Sequence, residues 1–415
     1  MEDYLRKHVR YNFIVNVFDG GFFGLGLGFA SFVTVLPLFV SHMTDSALLI
    51  GLIPAIRGTG WQLPQLFVAD RVARANRYKP MVILLTLLER IPFLGFAFVA
   101  LFLPALGTTT ALVLTFALLV VQGLGGGVTS PAWQSMIARV IPPTRRGTFF
   151  GAQGAASSLL SSVGAVGAGI LLERIGLPVN FAACFFITVG AMIVSWFFLA
   201  QTREPTIPSP QAEMQASDFR AGLMEILRRD ANYRWFLFAR MLFQFAMMSF
   251  AFYTVYVVSQ LHLDDLGAGL MTSVFMGAQI IANPVMGWIG DRVSHRLVME
   301  VGGLAAIVSA LLAWWAPSAN WFYLVFICAG IANVAAWTIT MAMTIDFAPQ
   351  PSDRPVYVGL ANTLVAPSVI LAPLFGGWLA DTAGYSATFF AAAVGGIITT
   401  LMLHLLLRDP PRATG

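Results

Sequence analysis

The sequence carries little charge for its length. Asp, Glu, Lys and Arg together make up 11% of its 415 residues, whereas hydrophobic residues make up 58%. A soluble chain uses about 25% charged residues to cover its surface. The main solvent of this chain is therefore something other than water, and the composition predicts an integral membrane protein.

Residues that commonly carry enzymatic chemistry are also scarce. The chain has two lysines, Lys7 and Lys79, and neither lies in the glycine-rich phosphate loop of an ATP-driven pump. Its 5 histidines are scattered, its 2 cysteines lie in apolar runs, and it has no H-E-x-x-H or G-x-S-x-G motif. We therefore expect no enzyme activity, metal site, cofactor or disulfide, and nothing points to a nucleic-acid partner.

Long apolar runs fill most of the chain. A bilayer core about 30 Å thick takes roughly 20 helical residues, and twelve runs approach or exceed that length. They lie at about 12–39, 47–69, 80–103, 111–137, 149–172, 181–200, 234–258, 267–289, 297–316, 321–345, 356–380 and 386–407. The sequence thus predicts an all-α membrane fold with one six-helix bundle in residues 1–200 and another in residues 234–415.

Residues 201–233 form the longest connection and are predicted to be a linker between the bundles. The segment contains three prolines and then a short amphipathic stretch. Its apolar side is formed by Phe219, Leu223, Ile226 and Leu227. This pattern predicts a helix that lies on the membrane surface.

The basic residues predict the orientation of the chain. Of the 24 Lys and Arg residues, three (Arg57, Arg90 and Arg240) lie within apolar runs, and only Arg174 falls in a loop on the side opposite the N-terminus. The remaining 20 lie on the side of the N-terminus. Because basic loops stay in the cytoplasm, both termini are predicted to be cytoplasmic, in the inner membrane of a cell.

The two bundles repeat each other in sequence. Arg146 and Gly151 align with Arg354 and Gly359 at an offset of 208, and Asp70 aligns with Asp291 at an offset of 221. A chance similarity between apolar helices would not align charged residues and glycines at a constant offset. A six-helix unit used twice is typical of transporter-type internal repeats.

This arrangement resembles the major facilitator superfamily, whose signature between the second and third helices reads G-x-x-x-D-R/K-x-G-R/K-R/K. The second copy matches it at Gly287, Asp291, Arg292 and Arg296, with Ser294 at the inner glycine. The first copy keeps Asp70, Arg71 and Arg74 but has Leu66 and Ala73 at the glycine positions. The resemblance spans the whole chain and implies secondary transport by alternating access.

The resemblance also implies a role for these loops. In the family, the acid of the signature closes the cytoplasmic side in the outward-facing state, beside the N-terminal end of a helix in the other half. A carboxylate there gains about 0.3–1 kcal/mol from the helix dipole. Both copies are therefore predicted to act as a cytoplasmic latch. A proton-antiporter signature of the family is only partly present, since Leu119 replaces its Arg before Gln122 and Gly123.

Charges inside the membrane are the strongest indicators of chemistry, because each costs at least about 2.5–3.5 kcal/mol unless it is paired or hydrated. Five lie well inside the apolar runs: Asp19, Arg57, Glu89, Arg90 and Arg240. Asp19 and Arg240 differ by 221 and are thus repeat-equivalent. The family architecture places both on cavity-lining helices, where they could bind substrate or a coupling ion or form a gate pair. Arg57, Glu89 and Arg90 are predicted to form a buried ion pair, with Arg57 contacting Glu89.

Polar and aromatic residues on the cavity-lining helices complete the candidate solute site. They are Gln122, Trp133, Gln134, Gln244, Asn333 and Trp337. Together with Phe22, Phe23, Met247 and Met248, they suggest a cavity for a partly apolar solute. Stripes of small residues at Gly20, Gly24 and Gly28, and at Gly154, Ser157, Ser161, Gly164 and Ala168, predict close helix crossings.

The sequence thus predicts a secondary transporter for a small, partly apolar or amphiphilic solute. Symport and antiport, driven by protons or sodium, both stay open. The alternative within the same fold is a lysolipid or lipid facilitator or flippase, and a channel is the more distant one. We expect a monomer surrounded by membrane lipid.

Overall fold

The computed structural model describes residues 2–32, 34–44, 47–207, 224–262, 265–351 and 353–410. The helices of the first half are α1 (Glu2–Phe29), α2 (Val35–Ser41), α3 (Ala47–Gln62), α4 (Gln65–Ala73), α5 (Lys79–Leu101), α6 (Leu103–Leu106), α7 (Thr108–Val140), α8 (Arg146–Arg174) and α9 (Val179–Ala200). The predicted linker helix lies largely outside the described residues, since Phe219 and Leu223 fall in the gap at 208–223.

The helices of the second half are α10 (Ala231–Ala246), α11 (Phe250–Gln260), α12 (Asp265–Arg292), α13 (His295–Trp315), α14 (Phe322–Val334), α15 (Thr340–Asp346), α16 (Arg354–Ala383) and α17 (Tyr385–Leu405). A π-helical segment, Ala335–Ile339, joins α14 to α15. Short 3-10 turns precede α8 at Pro143–Arg145 and α14 at Ala319–Trp321.

Ten helices in the described part of the chain are long and apolar enough to cross a membrane. The other two predicted runs are also helical: 47–69 contains α3 and most of α4, and 267–289 lies within α12. The break between α3 and α4 falls at Pro64, which precedes the first residue of α4. The prediction of an all-α multi-pass membrane fold is confirmed.

Two chain reversals depend on glycine. Gly107 before α7 has a φ of 74°, and Gly384 before α17 has a φ of 84°. Side chains disfavour this left-handed region, whereas glycine enters it without a steric cost. Each glycine therefore ends one helix and allows the next to start within a residue.

The chain divides into two compact units. Unit 1 comprises Met1–Ile141, Ala156–Glu213 and Pro351–Thr363, and unit 2 comprises Pro142–Ala155, Met214–Gln350 and Leu364–Gly415. Each unit thus takes a short segment from the other half of the sequence. The two exchanged segments are repeat-equivalent, because adding 208 to 142–155 gives 350–363.

Unit 1 is packed around aromatic rings and small residues. Phe39, Phe93, Phe96 and Phe185 are fully buried in one cluster. Close backbone crossings hold α1 against α8: a methyl group added at Gly24 would lie 2.4 Å from the Ser157 carbonyl oxygen. Because lipid provides no hydrophobic driving force between helices, such close contacts stabilise the bundle. The small-residue stripes predicted for α1 and α8 do face each other at Gly24, Gly28, Ser157 and Ser161.

Unit 2 has an aromatic core with a polar centre. The buried Tyr253 packs against Phe322, Phe326 and Phe389. Its hydroxyl oxygen accepts hydrogen bonds from Ser249 at 2.9 Å and from Ser309 at 3.0 Å. These bonds tie α11 to α13 across an apolar interior, where an unmade hydrogen bond would cost several kcal/mol.

Candidate functional site

The centre of unit 1 contains a buried ion pair between α1 and α5. Nη2 of Arg90 lies 3.3 Å from Oδ1 of Asp19, and both side chains are less than a tenth exposed. Ser195 of α9 completes the cluster: its hydroxyl donates to Asp19 Oδ1 at 2.6 Å and accepts from Arg90 Nη2 at 2.9 Å. Three helices therefore converge on one carboxylate.

This pairing corrects the prediction that Arg57 contacts Glu89 directly, and it differs from the predicted gate pair of Asp19 with Arg240. Arg90, not Arg57, makes the direct ion pair, and its partner is Asp19. Arg57 lies over the Phe32 ring, 4.5 Å from its centroid, and interacts with Glu89 only through space. Glu89 and Arg90 are turned about 100° from each other on α5, so Arg90 can bind Asp19 directly while Glu89 interacts through space with both Arg90 and Arg57.

Asp19 therefore has its counter-ion within its own repeat. A gate pair with the repeat-equivalent Arg240 is not required to neutralise it. Arg240 is itself buried on α10, with its guanidinium carbon 5.7 Å from the centroid of the Phe236 ring. The equivalent position thus carries a different environment in each repeat.

Glu89 lies beside the glycine-rich centre of α7. A methyl group added at Gly126 would lie 2.9 Å from Oε1 of Glu89 and 3.0 Å from the Trp61 ring. The sequence "GLGGGV" therefore makes room for a half-buried carboxylate between α3, α5 and α7. Sequence reasoning did not assign this role to the glycines.

Gln122 of α7 is 2% exposed, and its Oε1 has no hydrogen-bond partner within the described residues. An unsatisfied buried acceptor is costly and is found mainly where a ligand or water completes it. Gln134, also on α7, instead donates to Ser130 at 2.9 Å, and Trp133 is half-buried. Of the three candidates on α7, Gln122 is the one whose side chain leaves a buried acceptor unsatisfied within the described residues.

In unit 2, the polar candidates form amide pairs between α12 and the helix that contains the π-helical segment. Asn333 donates to Gln279 at 2.8 Å, and Thr338 donates to Asn283 at 2.8 Å. Trp337 lies inside the π-helical segment, a feature that is frequent at functional sites. Gln244 on α10 is half-buried. Sequence reasoning missed Gln279, Asn283 and Thr338, although polar residues in an apolar run were a readable signal.

The second copy of the signature loop lies at the start of α8. Asp291 accepts hydrogen bonds from the backbone N–H of Gly147 at 2.7 Å and of Thr148 at 2.6 Å. Charge-assisted bonds of this kind are about twice as strong as neutral ones. Gly287 allows the approach, since a methyl group there would lie 2.2 Å from the Gly147 carbonyl oxygen. Arg292 stacks on Trp288, and Arg296 pairs with Glu300.

Two further side chains, His295 and Asp346, belong to the junction between Asp291 and the start of α8. Burial raises the pKa of Asp291, but the neighbouring His295 and the hydrogen bonds from Thr148 and Gly147 outweigh burial and hold the pKa below its ordinary value. Asp346 at the end of α15 binds the guanidinium of Arg146, the first residue of α8. Two carboxylates therefore hold the start of one helix.

The first copy is engaged differently, which corrects the prediction of two equivalent latches. Within the described part of the chain, the hydrogen bonds to Asp70 come from Arg74, one turn along, at 2.7–2.9 Å. Arg71 is exposed. The Asp70 carboxylate therefore binds a residue one turn along its own helix and not the start of α16.

A second repeated feature was not predicted. Asn12 of α1 bonds both backbone polar groups of Arg203 at 2.8 and 2.9 Å, and Asn232 of α10 bonds both those of Arg408 at 2.8 Å. In each case the residue that follows this arginine accepts hydrogen bonds from the start of a helix. Glu204 accepts from the N–H groups of Tyr78 and Lys79, and Asp409 accepts from Arg296 N–H and the Ser294 hydroxyl.

We call these two features the terminal clamps. Their sequence signal is the tripeptide Arg203-Glu204-Pro205, which recurs as Arg408-Asp409-Pro410 after the sixth helix of each repeat. In the first clamp, Glu204 also accepts from Arg139 at 3.1 Å, and the Arg139 guanidinium lies 4.0 Å from the centroid of the Tyr78 ring. The first clamp is thus buried and ionic, whereas Asp409 is exposed.

Comparison with known proteins identifies the family. A model of the Major Facilitator Superfamily matches residues 87–267 and again residues 236–415. The chain therefore belongs to the Major Facilitator Superfamily, and the two matches together span residues 87–415.

Named relatives are similar over part of the chain. Multidrug resistance protein 1 of Bacillus subtilis is 26% identical over 156 residues, which cover 38% of this chain and 40% of that protein. Quinolone resistance protein NorA of Staphylococcus aureus is 26% identical over 165 residues, 38% of this chain and 41% of that protein. The matched region thus spans about two fifths of these relatives.

Solved structures share the fold over nearly the whole chain. The fucose:proton symporter FucP of E. coli has a TM-score of 0.75 at 13% identity and covers 95% of this chain and 98% of its own. The proton:xylose symporter XylE has a TM-score of 0.72 at 15% identity, covering 97% of each chain. At this identity the likeness shows the fold alone.

Proposed function

We propose that the chain is a secondary transporter, not an enzyme, that moves a small, partly apolar or amphiphilic solute by alternating access. We further propose that Asp19 binds the coupling proton. Family membership supports the general mechanism. The buried cluster of Asp19, Arg90 and Ser195 carries the assignment of coupling.

The cluster can hold two charge states. With Asp19 ionised, Arg90 neutralises it at 3.3 Å and Ser195 donates to it. With Asp19 protonated, the carboxyl is neutral and the Arg90 charge is released toward other acceptors such as the neighbouring Glu89. Carboxylates inside a membrane bundle commonly mark proton pathways for this reason. One proton thus changes which groups in unit 1 attract each other.

The solute class rests on polar and aromatic groups of unit 1 and on the relatives. Gln122 offers a buried acceptor, and Arg57 offers a cation stacked on an aromatic ring. Pockets of this composition suit apolar molecules with a few polar groups. Two relatives are named for resistance to multiple drugs and to quinolones, which supports a partly apolar solute.

We also propose that the protein lies in the cytoplasmic membrane with both termini inside, which the basic loops support. In a variant without native cysteines, Thr108→Cys should react with a membrane-impermeant maleimide in intact cells. Ala75→Cys should react only after permeabilisation. The reverse pattern would overturn the orientation. A predicted inside position, Ser217, lies outside the described residues.

Transport is tested with purified protein in liposomes under an imposed pH gradient. The panel contains norfloxacin, tetraphenylphosphonium, fucose, xylose and a lysophosphatidylcholine, each radiolabelled. We expect gradient-driven accumulation of norfloxacin or tetraphenylphosphonium, and little of either sugar. Asp19→Asn should abolish this accumulation but keep solute counterflow, since counterflow needs no net proton movement.

The matched control is Glu173→Gln, an exposed acid at the end of α8, which should behave as wild type. Full gradient-driven accumulation by Asp19→Asn would refute proton coupling at this residue. Accumulation of the lysolipid alone would favour the lipid-facilitator alternative. Flux without saturation, together with unitary currents, would indicate a channel and refute alternating access.

A further inference from the structure

An acid and a base inside unit 1 attract each other without forming an ion pair. Arg57 of α3 and Glu89 of α5 interact through space, but within the described residues neither side chain belongs to an ion pair. The Arg57 guanidinium instead lies over the Phe32 ring, 4.5 Å from its centroid. Opposite charges that are held apart inside a membrane bundle are costly. The space between them therefore suits a group that completes both.

The helices α3 and α7 run side by side in the same direction along this space. A methyl group at Gly123 would lie 3.2 Å from the Ile56 carbonyl oxygen, and one at Gly127 would lie 2.4 Å from the Gly60 carbonyl oxygen. One turn along α7 therefore corresponds to one turn along α3.

This alignment brings the polar groups of α3, α5 and α7 to one place. Gly126 of α7 faces Glu89 and Trp61, since a methyl group there would lie 2.9 Å from Glu89 Oε1 and 3.0 Å from the Trp61 ring. Gln122 precedes Gly126 by one turn on the same face of α7, and Arg57 precedes Trp61 by one turn on α3. The acid, the base, the amide and the indole therefore line one space within unit 1.

Two buried polar atoms beside this space have no hydrogen-bond partner within the described part of the chain. They are Nε of Arg57, which is a donor, and Oε1 of Gln122, which is an acceptor. Gln122 is only 2% exposed, so bulk solvent does not complete its side chain. Buried groups of this kind need a ligand or a water molecule.

The charge balance of the space favours one class of solute. Arg90 and Asp19 already neutralise each other, which leaves one cation, Arg57, and one anion, Glu89. A solute with a single charge would bring an uncompensated charge into the bundle, which is strongly unfavourable. A zwitterion brings none and offers a counter-charge to each side chain. Because Arg57 and Glu89 still attract each other through space, and such attraction falls with distance, the two poles of the solute must lie close together.

We propose that this space binds a compact zwitterion, an α-amino acid with an apolar side chain. Arg57 binds its carboxylate, and its ammonium group donates to Glu89 and to Oε1 of Gln122. The apolar side chain of the solute packs on the Trp61 indole. This inference rests on the proposed transport of a small, partly apolar solute, and it narrows the class of that solute.

The test measures binding of tritiated L-phenylalanine to the full-length protein in lipid nanodiscs, by scintillation proximity at neutral pH. Unlabelled phenylalanine, its methyl ester and N-acetylphenylalanine are the competitors. The ester lacks the carboxylate, and the acetyl derivative lacks the ammonium group. We expect each derivative to compete about ten- to a hundredfold more weakly than phenylalanine, because each loses hydrogen bonds to a charged side chain.

Two substitutions assign the poles of the solute to the two side chains. In Glu89→Gln, phenylalanine should bind as weakly as its acetyl derivative, whereas esterification should weaken binding further. In Arg57→Gln, the effects of the two modifications should be exchanged. Glu173→Gln, at an exposed position of the same unit, is the matched control and should discriminate against both derivatives as wild type does.

The absence of saturable phenylalanine binding to the wild-type protein would overturn the proposal. A derivative that competes as well as phenylalanine would also overturn it, and so would wild-type discrimination against the acetyl derivative in Glu89→Gln. The comparison of the three ligands uses the wild-type protein, so it stands even if a variant fails to fold. No gradient is imposed, so intact binding without proton-driven accumulation would count against the proposed coupling alone.

Discussion

The two repeats have their ionic interactions in different places. In unit 1 two described pairs are buried, Asp19 with Arg90 in the centre of the bundle and Glu204 with Arg139 at the first terminal clamp, whereas Asp70 and Arg74 pair at a partly exposed position. In unit 2 the described ion pairs lie around the starts of α8 and α13, and those of Asp291 and Asp346 are also largely buried. The contrast between these pairs is therefore one of place, bundle centre against helix junction, and not of burial.

The two signature loops bind their surroundings differently because of single-residue differences between the repeats. In the second copy, Gly287 lets α12 approach the start of α8, and Gly147 supplies an N–H to Asp291. The first copy has Leu66 at the position of Gly287, and the position equivalent to Gly147 is Pro355. Proline has no N–H to donate. Asp70 therefore lacks one of the two backbone donors that bind Asp291, and it pairs with Arg74 instead.

The largest expected effect comes from the buried pair of unit 1. Arg90→Gln leaves Asp19 in the bundle without its cation and should cost about 3–5 kcal/mol of stability. Thermal unfolding in detergent can be followed with a thiol-reactive dye, because Cys184 is fully buried in unit 1, in a Cys328→Ala background. Adding Asp19→Asn should restore most of the loss. Arg174→Gln, at an exposed position, is the control, and a stable single variant would refute the importance of the pair.

Substitutions in the two terminal clamps should also lower the stability of the protein, but by less than Arg90→Gln. The loss should be larger at the buried clamp than at the exposed one. Glu204→Gln removes the charge that neutralises Arg139, whose side chain is 6% exposed, and should cost about 2–4 kcal/mol. Asp409→Asn keeps a capping oxygen at an exposed helix start and should cost about 0.5–1 kcal/mol. The same dye measurement in single-cysteine backgrounds compares them. Equal losses would mean that burial does not set the strength of a clamp.

Asp291→Asn should have an intermediate effect, about 1.5–3 kcal/mol, because two charge-assisted bonds to α8 become neutral. The lowered pKa fixes the sign of the pH dependence. A carboxyl with a depressed pKa contributes fully above its unfolded value, near pH 4, and loses the contribution as pH falls through the folded value. The melting-temperature difference from wild type should stay constant from about pH 8 to 5 and shrink in stronger acid. A difference that shrinks near pH 6 would contradict this.

The smallest effect is expected from Asp70→Asn. An exposed pair one helical turn apart contributes about 0.5 kcal/mol or less, and the Asp70 and Arg74 side chains are 24% and 30% exposed. The melting temperature should match wild type. A clear loss of stability would show that Asp70 contributes beyond its pair with Arg74, and the contrast between the copies would fail.

The fold was predictable because it depends on long-range averages. Apolar run length, basic loops and a two-fold offset all survive the loss of individual residues, so twelve runs in two repeats could be read directly. The different bonding of the first loop was readable too, since the alignment that places Arg146 over Arg354 also places Gly147 over Pro355. Proline chemistry at that one position was the missed signal.

The pairing of the buried charges was not predictable in the same way. Asp19, Arg57, Glu89 and Arg90 are recognisable as costly residues, but their partners depend on helix rotation. A turn of 100° per residue separates Glu89 from Arg90. The packing of α1 and α5 against α9 then decides that Arg90 meets Asp19, with Ser195 between them. Sequence spacing along one helix does not contain that information.

The terminal clamps also limit the order in which contacts can form during synthesis. Asn12 can bond Arg203 only after 191 further residues have been made, and Asn232 can bond Arg408 only after 176 further residues. Each bundle is therefore completed only when its last few residues leave the ribosome. A fusion partner or affinity tag placed after Pro410 preserves this closing step, whereas one that replaces Arg408 and Asp409 would leave the second bundle open at the start of α13.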